Sequence, residues 1–281
     1  MSENTIYPTI GEVGAALEEW ALPGWAQSYD NVGLQVGDAR RTVERALIAL
    51  DLTPAVLAEA KQQGATLIIT HHPLLFTPLR SVTADGFVSS LALRLAEARV
   101  ALYSIHTNLD VAPGGVSFAL AERLDLQDVR FLDVFDEDAA PTMQAGFGAV
   151  GRLAAPMTLT ALLQHVATCL QVGSLRYTGD PEATVETVAV CGGSGSRFTP
   201  QALQADADAY VTADVTYHKF FDVLDLDGHP RMALIDAGHY ETEAVTEGLL
   251  QQWLARRFPT VAWQRTATRT SPIETFVPGG A

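Results

Sequence analysis

Ile10, Val13, Leu17 and Trp20 recur at helical spacing and predict an N-terminal helix. Beyond it, short apolar runs of strand length alternate with stretches of helical pattern. The strand candidates are ALIALD (46–51), TLIIT (66–70), VALYSI (100–105), TVAVC (187–191), AYVTAD (209–214) and MALIDA (232–237). Helices are predicted over 54–63, 87–98, 116–124, 159–171, 200–205, 216–223 and 242–257. Nearly continuous apolar strands separated by helices predict an α/β fold whose sheets are largely parallel and covered on both faces.

The rhythm breaks over 126–150. The acidic stretch LDVFDEDAAPTMQAGFG (132–148) runs into AVGRLAAPMT, where the pattern allows a strand and a turn. A junction there divides the chain into two interlinked α/β domains, 1–127 plus 236–281 and 128–235. The tail TSPIETFVPGGA reads as a final strand or as a loose end.

Polar residues gather where the strands stop. ALIAL ends in Asp51, TLIIT in His71 and His72, and VALYSI in His106 to Asp110; MALIDA runs into His239 to Glu243. Ligands of open α/β sheets bind beyond the carboxyl ends of strands. One convergent site is therefore expected, between the domains and at strand C-terminal ends.

Its chemistry fits metal. Imidazole with carboxylate suits Zn, Mn, Fe or Ni better than Ca or Mg. His239 and Glu243, four apart at a helix start, project from one face. His71 and His72 are adjacent. Successive strand side chains point apart, and Pro73 holds His72 extended. Imidazoles that diverge chelate one ion poorly but suit two ions about 3.5–4 Å apart. The expectation is one histidine per ion, against the alternative of a hydrogen-bonded core network; Asp110 and the His239/Glu243 pair favour metal.

Other features have plainer readings. His165 lies on a helix with an apolar stripe and His229 follows a turn signal, so both read as structural or solvated. CGGSGS (191–196) follows a strand. Backbone N–H groups at Gly192, Gly193 and Ser194 could cradle a phosphate, or the segment is a tight turn; it lacks the Lys-Ser/Thr ending of a P-loop. Arg256, Arg257, Arg265 and Arg269 read as a solvated face or an interface.

Composition narrows the classes. With 281 residues, 48% hydrophobic and 18% charged, the chain can bury cores for two domains. No apolar run reaches the roughly 18 residues of a membrane span. The N-terminus shows no basic region followed by an apolar stretch, and two cysteines make no disulfide framework, so a cytoplasmic location is expected. A formal charge of −15 disfavours non-specific nucleic-acid binding.

SYDNVGLQVGD (28–38), ITHHPLLF (69–76), HTNLDVAPGGV (106–116), CGGSG (191–195), VTADVTYH (211–218) and LIDAGHYETE (234–243) resemble, in order, the motifs of the Nif-three-like dinuclear-metal proteins, often named GTP cyclohydrolase I type 2 homologs. The likeness runs from about residue 6 to about 257. It implies metal ligands at His71, His72, Asp110, His239 and Glu243, with Glu243 shared between two divalent ions per chain. It implies that His106 and His218 face the site without being ligands, and that the chain forms a homohexameric ring. The short 126–158 region leaves no room for the domain that some members insert there. Two positions depart from the family pattern, Tyr29 for Trp and Ala213 for Gly. Ala213 does not take positive φ cheaply, so the turn before His218 is expected to differ.

The function expected is metal-dependent hydrolysis of a nucleotide or small phosphorylated compound, with His106 or His218 shuttling the proton. The alternative is a non-catalytic scaffold that stores or delivers metal or binds a partner. Ligands too few to close two ions favour the enzyme.

Overall fold

The structure is a computed structural model that describes residues 6–135 and 144–276. Its first helix, α1 (Ile10–Trp20), opens on a reciprocal cap: Glu12 N–H donates to the Thr9 hydroxyl, and Thr9 N–H donates to the Glu12 carboxylate. Next come β1 (Gly33–Val36), β2 (Arg45–Ala49) and α2 (Pro54–Gln63), which Thr53 caps and Pro54 opens. Then follow β3 (Leu67–Thr70), α3 (Phe87–Ala98), β4 (Ala101–Ser104) and the single turn α4 (Thr107–Asp110). The chain continues through α5 (Val116–Arg123), β5 (Gln127–Val134), β6 (Gly146–Thr158), α6 (Leu159–Leu170), β7 (Arg176–Thr178) and β8 (Thr184–Val190). It ends with α7 (Thr199–Gln204), β9 (Ala209–Thr212), β10 (Ala233–Asp236), α8 (His239–Glu243), α9 (Val245–Arg257) and β11 (Ala262–Arg265).

The chain forms two compact units. One holds the residues up to Ala112 and Thr246–Thr270, the other Pro113–Val245 and the residues from Ser271 on. These boundaries differ from those expected, 1–127 with 236–281 and 128–235. The first crossing falls before α5, and α8 goes with the second unit.

The first unit is a sheet of order β1-β4-β3-β2-β11. Strands β11, β2, β3 and β4 are parallel, and β1 pairs antiparallel at the edge. Every residue of β3 and β4 is buried, as their unbroken apolar runs require. Leu47, Ile68 and Leu102 pack against Val56 and Leu57 of α2 and Leu91 and Leu95 of α3. Tyr103 alternates to the opposite face, where its hydroxyl donates to Glu18 of α1 at 3.0 Å. On that side the rings of Trp20 (α1) and Trp253 (α9) stack with centroids 5.0 Å apart.

The second unit is a sheet of order β5-β6-β8-β9-β10-β7. Here the expectation of largely parallel pairing needs correction. Only β8, β9 and β10 run parallel; β5, β6 and β7 pair antiparallel around them. The β5–β6 pair occupies the stretch where the alternation broke. β5 lacks an apolar run because it is buried at Leu132 alone among its residues, and the buried half of β6 is interrupted by Gly146, Gly148 and Gly151. One face packs Leu120, Leu159, Leu162 and Val166; the other packs Phe198, Ala202, Tyr210 and Leu234.

Smaller differences are local. The predicted helix over 216–223 is a 3-10 turn, Tyr217–Phe221. The helix over 242–257 begins earlier and is broken at Ala244 into α8 and α9. Of the tail, residues 271–276 are neither strand nor helix and 277–281 lie outside the described residues, as does 136–143 of the acidic stretch. No helix among the described residues is long and apolar enough to cross a membrane.

Candidate metal centre

In the first unit, three parallel strands deliver the side chains. The ladder carries on past β3: His71 N–H donates to Ala49 C=O and His72 N–H to Leu50 C=O. The chain then bends, and the Thr70 hydroxyl closes the bend by donating to the His72 carbonyl at 2.8 Å. Next to it, β4 runs into His106 and the turn α4, which ends on Asp110.

The rings of His71, His72 and His106 lie 5.1, 5.1 and 5.3 Å apart by centroid. One ring nitrogen of each falls within 4.8 Å of the others, an arrangement able to hold metal. Asp110 Oδ1 is 3.5 Å from His71 Nε2. His71 is fully buried, and His72 is partly open to solvent.

The adjacent histidines are anchored to opposite neighbours. His71 Nδ1–H donates to the Ile105 carbonyl at 2.9 Å, on the β4 side. His72 Nδ1–H donates to Asp51 Oδ1 at 2.7 Å, on the β2 side, and Thr270 holds the other Asp51 oxygen at 2.7 Å. Their anchors lie on opposite sides, but the rings do not point apart as strand alternation predicts, because the chain bends at His72 and brings the two centroids to 5.1 Å. His106 Nδ1–H donates to Asp30 Oδ1 at 2.9 Å. The Asp30 carboxylate also accepts from the backbone and hydroxyl of Thr107. Burial opposes its charge, but these bonds outweigh burial and hold it well below the usual carboxylate range.

In the second unit, β8, β9 and β10 end together at Gly193, Asp214 and His239. His239 Nδ1–H donates to Asp214 Oδ2 at 2.7 Å, and its Nε2 lies 3.0 Å from Glu243 Oε2. The bond to Glu243, with Asp214 adding, raises the His239 pKa to about 9 against the cost of burial. Asp214 takes the left-handed conformation, φ +53. Ala213 before it is not at positive φ, so the turn preceding His218 asks nothing of the alanine that a side chain resists.

The CGGSG loop wraps this pair. A Cβ on Gly193, at φ +59, would stand 2.1 Å from Glu243 Oε1 and 3.1 Å from His239 Nε2. Glycine here keeps open the space against which the ligand atoms face. Gly193 N–H donates to the Thr242 hydroxyl, and Gly195 N–H to Thr212 Oγ1 and the Gly193 carbonyl. Of the three N–H groups expected in a phosphate cradle, Gly192, Gly193 and Ser194, that of Gly193 is thus already engaged within the turn.

Four histidines thus share one arrangement: Nδ1–H is held by a carboxylate or a carbonyl, so Nε2 faces away from the anchor. Metal-binding imidazoles are oriented in this way, the outer acceptor fixing tautomer and ring plane. Asp110 lies beside His71 in the first unit and Glu243 beside His239 in the second, and imidazole with carboxylate fits a divalent ion of the transition series. His218 does not share the arrangement. It is exposed on the Tyr217–Phe221 turn, edge-on to the ring of Tyr217 at 5.3 Å. His229 is exposed near Asp225, in keeping with its solvated reading.

The anchoring carboxylates were not assigned a role from sequence. Asp30 lies inside the first motif, Asp51 at the end of β2 and Asp214 inside VTADVTYH. The available signal was weak: SYDNVGLQVGD holds two aspartates, Asp30 and Asp38, and nothing in the sequence separates the anchor from the other.

The family model for Duf34/NIF3 (NGG1p interacting factor 3) matches residues 8–272. A Streptomyces coelicolor protein named GTP cyclohydrolase 1 type 2 homolog is 39% identical over 238 residues, covering 84% of this chain and 82% of its own. Among solved structures, a Staphylococcus aureus hypothetical protein superposes with a TM-score of 0.86 at 28% identity, covering 96% of this chain and 100% of its own. A Bacillus cereus protein related to NIF3 superposes with a TM-score of 0.83 at 25% identity, covering 97% and 100%.

Proposed function

This chain belongs to the Duf34/NIF3 family, and we propose that it is a dinuclear-metal hydrolase acting on a nucleotide or a related phosphorylated compound. The ligands in this reading are His71, His72, Asp110, His239 and Glu243, with two divalent ions of the Zn, Mn, Fe or Ni class. The observation that carries it is the Nδ1 anchoring shared by His71, His72, His106 and His239. A divalent ion held there supplies a Lewis acid and lowers the pKa of a water molecule it binds.

The protein's own part is positioning and proton transfer. Asp30 holds Nδ1–H of His106, so Nε2 is the atom that takes and returns a proton. Asp51 and the Ile105 carbonyl fix the planes of His72 and His71. His218 has no comparable carboxylate partner among the described residues, and the proton role goes to His106. The name borne by curated relatives, GTP cyclohydrolase 1 type 2 homolog, supports a purine nucleotide as the first substrate to test.

The test is turnover by metal-loaded protein against GTP, other nucleotides, phosphodiesters and short single-stranded nucleic acid. Activity is expected to require added metal and to fall by about 10²-fold or more in His106→Ala. Full metal occupancy without turnover of any substrate would overturn the enzyme and leave a scaffold that stores or delivers metal. The homohexameric ring implied by the family resemblance belongs to the same proposal. Light scattering giving a monomer at micromolar concentration would remove it.

A further inference from the structure

His165, read from sequence as structural or solvated, sits in a second group of metal-competent side chains. It lies on α6 one turn before Cys169, and both face Asp125, which follows α5. Ligand atoms of the three all fall within 4.8 Å of one another. His165 Nε2 is 3.7 Å from Cys169 Sγ and 3.7 Å from Asp125 Oδ2.

Those separations suit one small ion. Sulfur bound to zinc at about 2.3 Å and nitrogen at about 2.1 Å, arranged tetrahedrally, lie about 3.6 Å apart; nitrogen and carboxylate oxygen lie about 3.4 Å apart. Asp125 holds the left-handed conformation, φ +57, at the turn leaving α5. Access is open, with the Asp125 side chain 79% exposed and that of His165 28% exposed. The spacing is the helical one: residues four apart project from one face, and because Cys169 Sγ lies 3.8 Å from Nδ1 as well as 3.7 Å from Nε2, the His165 ring must turn away from the Leu124 carbonyl for the two to share an ion.

The geometry points to a mononuclear site for a thiophilic divalent cation, Zn(II) above all, bound by Asp125, His165 and Cys169 with the fourth position open to solvent. Thiolate and imidazole together select zinc-like ions over Mg or Ca. The ion exchanges for two interactions of the metal-free form. One is the thiol proton, which burial and the neighbouring Asp125 charge help retain. The other is the 3.2 Å contact of His165 Nε2 with the Leu124 carbonyl. This site is independent of the centre proposed above, whose ligands include no sulfur.

Cobalt(II) is the probe, because thiolate bound to cobalt gives a ligand-to-metal charge-transfer band that imidazole and carboxylate do not. The full-length protein is titrated with cobalt alongside Cys169→Ser, Cys191→Ser and Asp125→Asn, and metal content is counted after desalting. The expected result is a charge-transfer band saturating at one equivalent. Cys169→Ser should lose the band and one equivalent of metal, Cys191→Ser should keep both, and Asp125→Asn should bind cobalt several-fold more weakly. Absence of the band from the parent protein, or its survival in Cys169→Ser, overturns the site. An unchanged titration in Asp125→Asn overturns the three-residue set. Each variant changes a side chain at or near the surface or preserves its size, and circular dichroism confirms folding before the titration is read.

Discussion

His106 and Asp30 are 76 residues apart in sequence and joined by a 2.9 Å hydrogen bond in which the imidazole donates. The same carboxylate takes the Thr107 N–H at 3.1 Å, so one buried side chain fixes both the ring and the turn that follows it. Asp30→Asn keeps the shape but replaces an acceptor by a donor facing Thr107. A buried donor left unmatched costs about 1–3 kcal/mol. Urea unfolding should show a loss of that order; an unchanged midpoint would mean that Thr107 and His106 find other acceptors.

Glu243 is expected to serve both proposed ions. Elemental analysis of gently purified protein should approach two equivalents at this centre, counted in a Cys169→Ser background. Glu243→Ala should then lose more than one of them. Retention of both ions would remove the bridging role.

His71 and His72 are anchored to different strands, and their replacements should not be equivalent. His71→Ala is expected to empty mainly one metal position and His72→Ala mainly the other. Anomalous diffraction from crystals of each variant reports occupancy position by position. Loss at the same position in both would overturn one histidine per ion, and unchanged occupancy would overturn the metal role of the pair.

Gly193→Ala puts a methyl group where Glu243 and His239 present their ligand atoms, on a backbone at positive φ. Metal affinity should fall by tenfold or more, roughly the loss of one moderate contact of about 1.4 kcal/mol, while circular dichroism stays native. Gly24→Ala, a glycine with nothing within 4 Å of its added carbon, is the control and should bind normally.

Glu247 of α9 accepts the Leu50 N–H at 3.0 Å in the interior of the first unit. Burial raises its pKa from 4.5 to about 7, against that hydrogen bond and the pull of Arg265. The folded state therefore binds the proton more tightly than the unfolded chain. Stability from this group is complete below about pH 4.5 and is lost as pH rises through about 7. Glu247→Gln keeps an acceptor for Leu50 and removes the charge. It should raise stability above pH 7 by up to ~3 kcal/mol, at about 1.4 kcal/mol per pKa unit, and leave it nearly unchanged below pH 4.5. A gain that does not depend on pH would refute the titration.

What the sequence made legible was the run of buried parallel strands and the side chains at their ends. β2, β3, β4, β8, β9 and β10 have apolar character on both faces, and that alone predicts them. β1, β5, β7 and β11 are edge or near-edge strands with polar faces, where no period stands out. The five proposed ligands lie in polar clusters that follow strand ends, but the set itself is what the family resemblance implies, since His106 stands nearer a strand end than Asp110 and is not among them. Their anchors could not be named, because pairing is a tertiary fact: Asp214 meets His239 across 25 residues, and Thr270 meets Asp51 across 219. His165 lies partly buried within 3.2 Å of the Leu124 carbonyl, in keeping with its structural reading, but its other neighbours were hidden for a related reason. An apolar stripe describes the buried side of α6, while His165 shares its own side with Cys169 and with an aspartate from another element.

The return of α9 and β11 to the first sheet bears on how the chain emerges from the ribosome. β11 pairs with β2, and Trp253 stacks on Trp20, so the unit whose synthesis starts first lacks an edge strand and a helix until the whole inserted stretch has been made. Among the described residues, the strands and helices of the unit inserted into it all lie between Pro113 and Val245. Domains fold as units once their residues are out. In this chain the described strands and helices of the inner unit are all made before α9 and β11, so vectorial synthesis completes the secondary elements of the outer unit last, and the residues from Ser271 on join the inner unit after that.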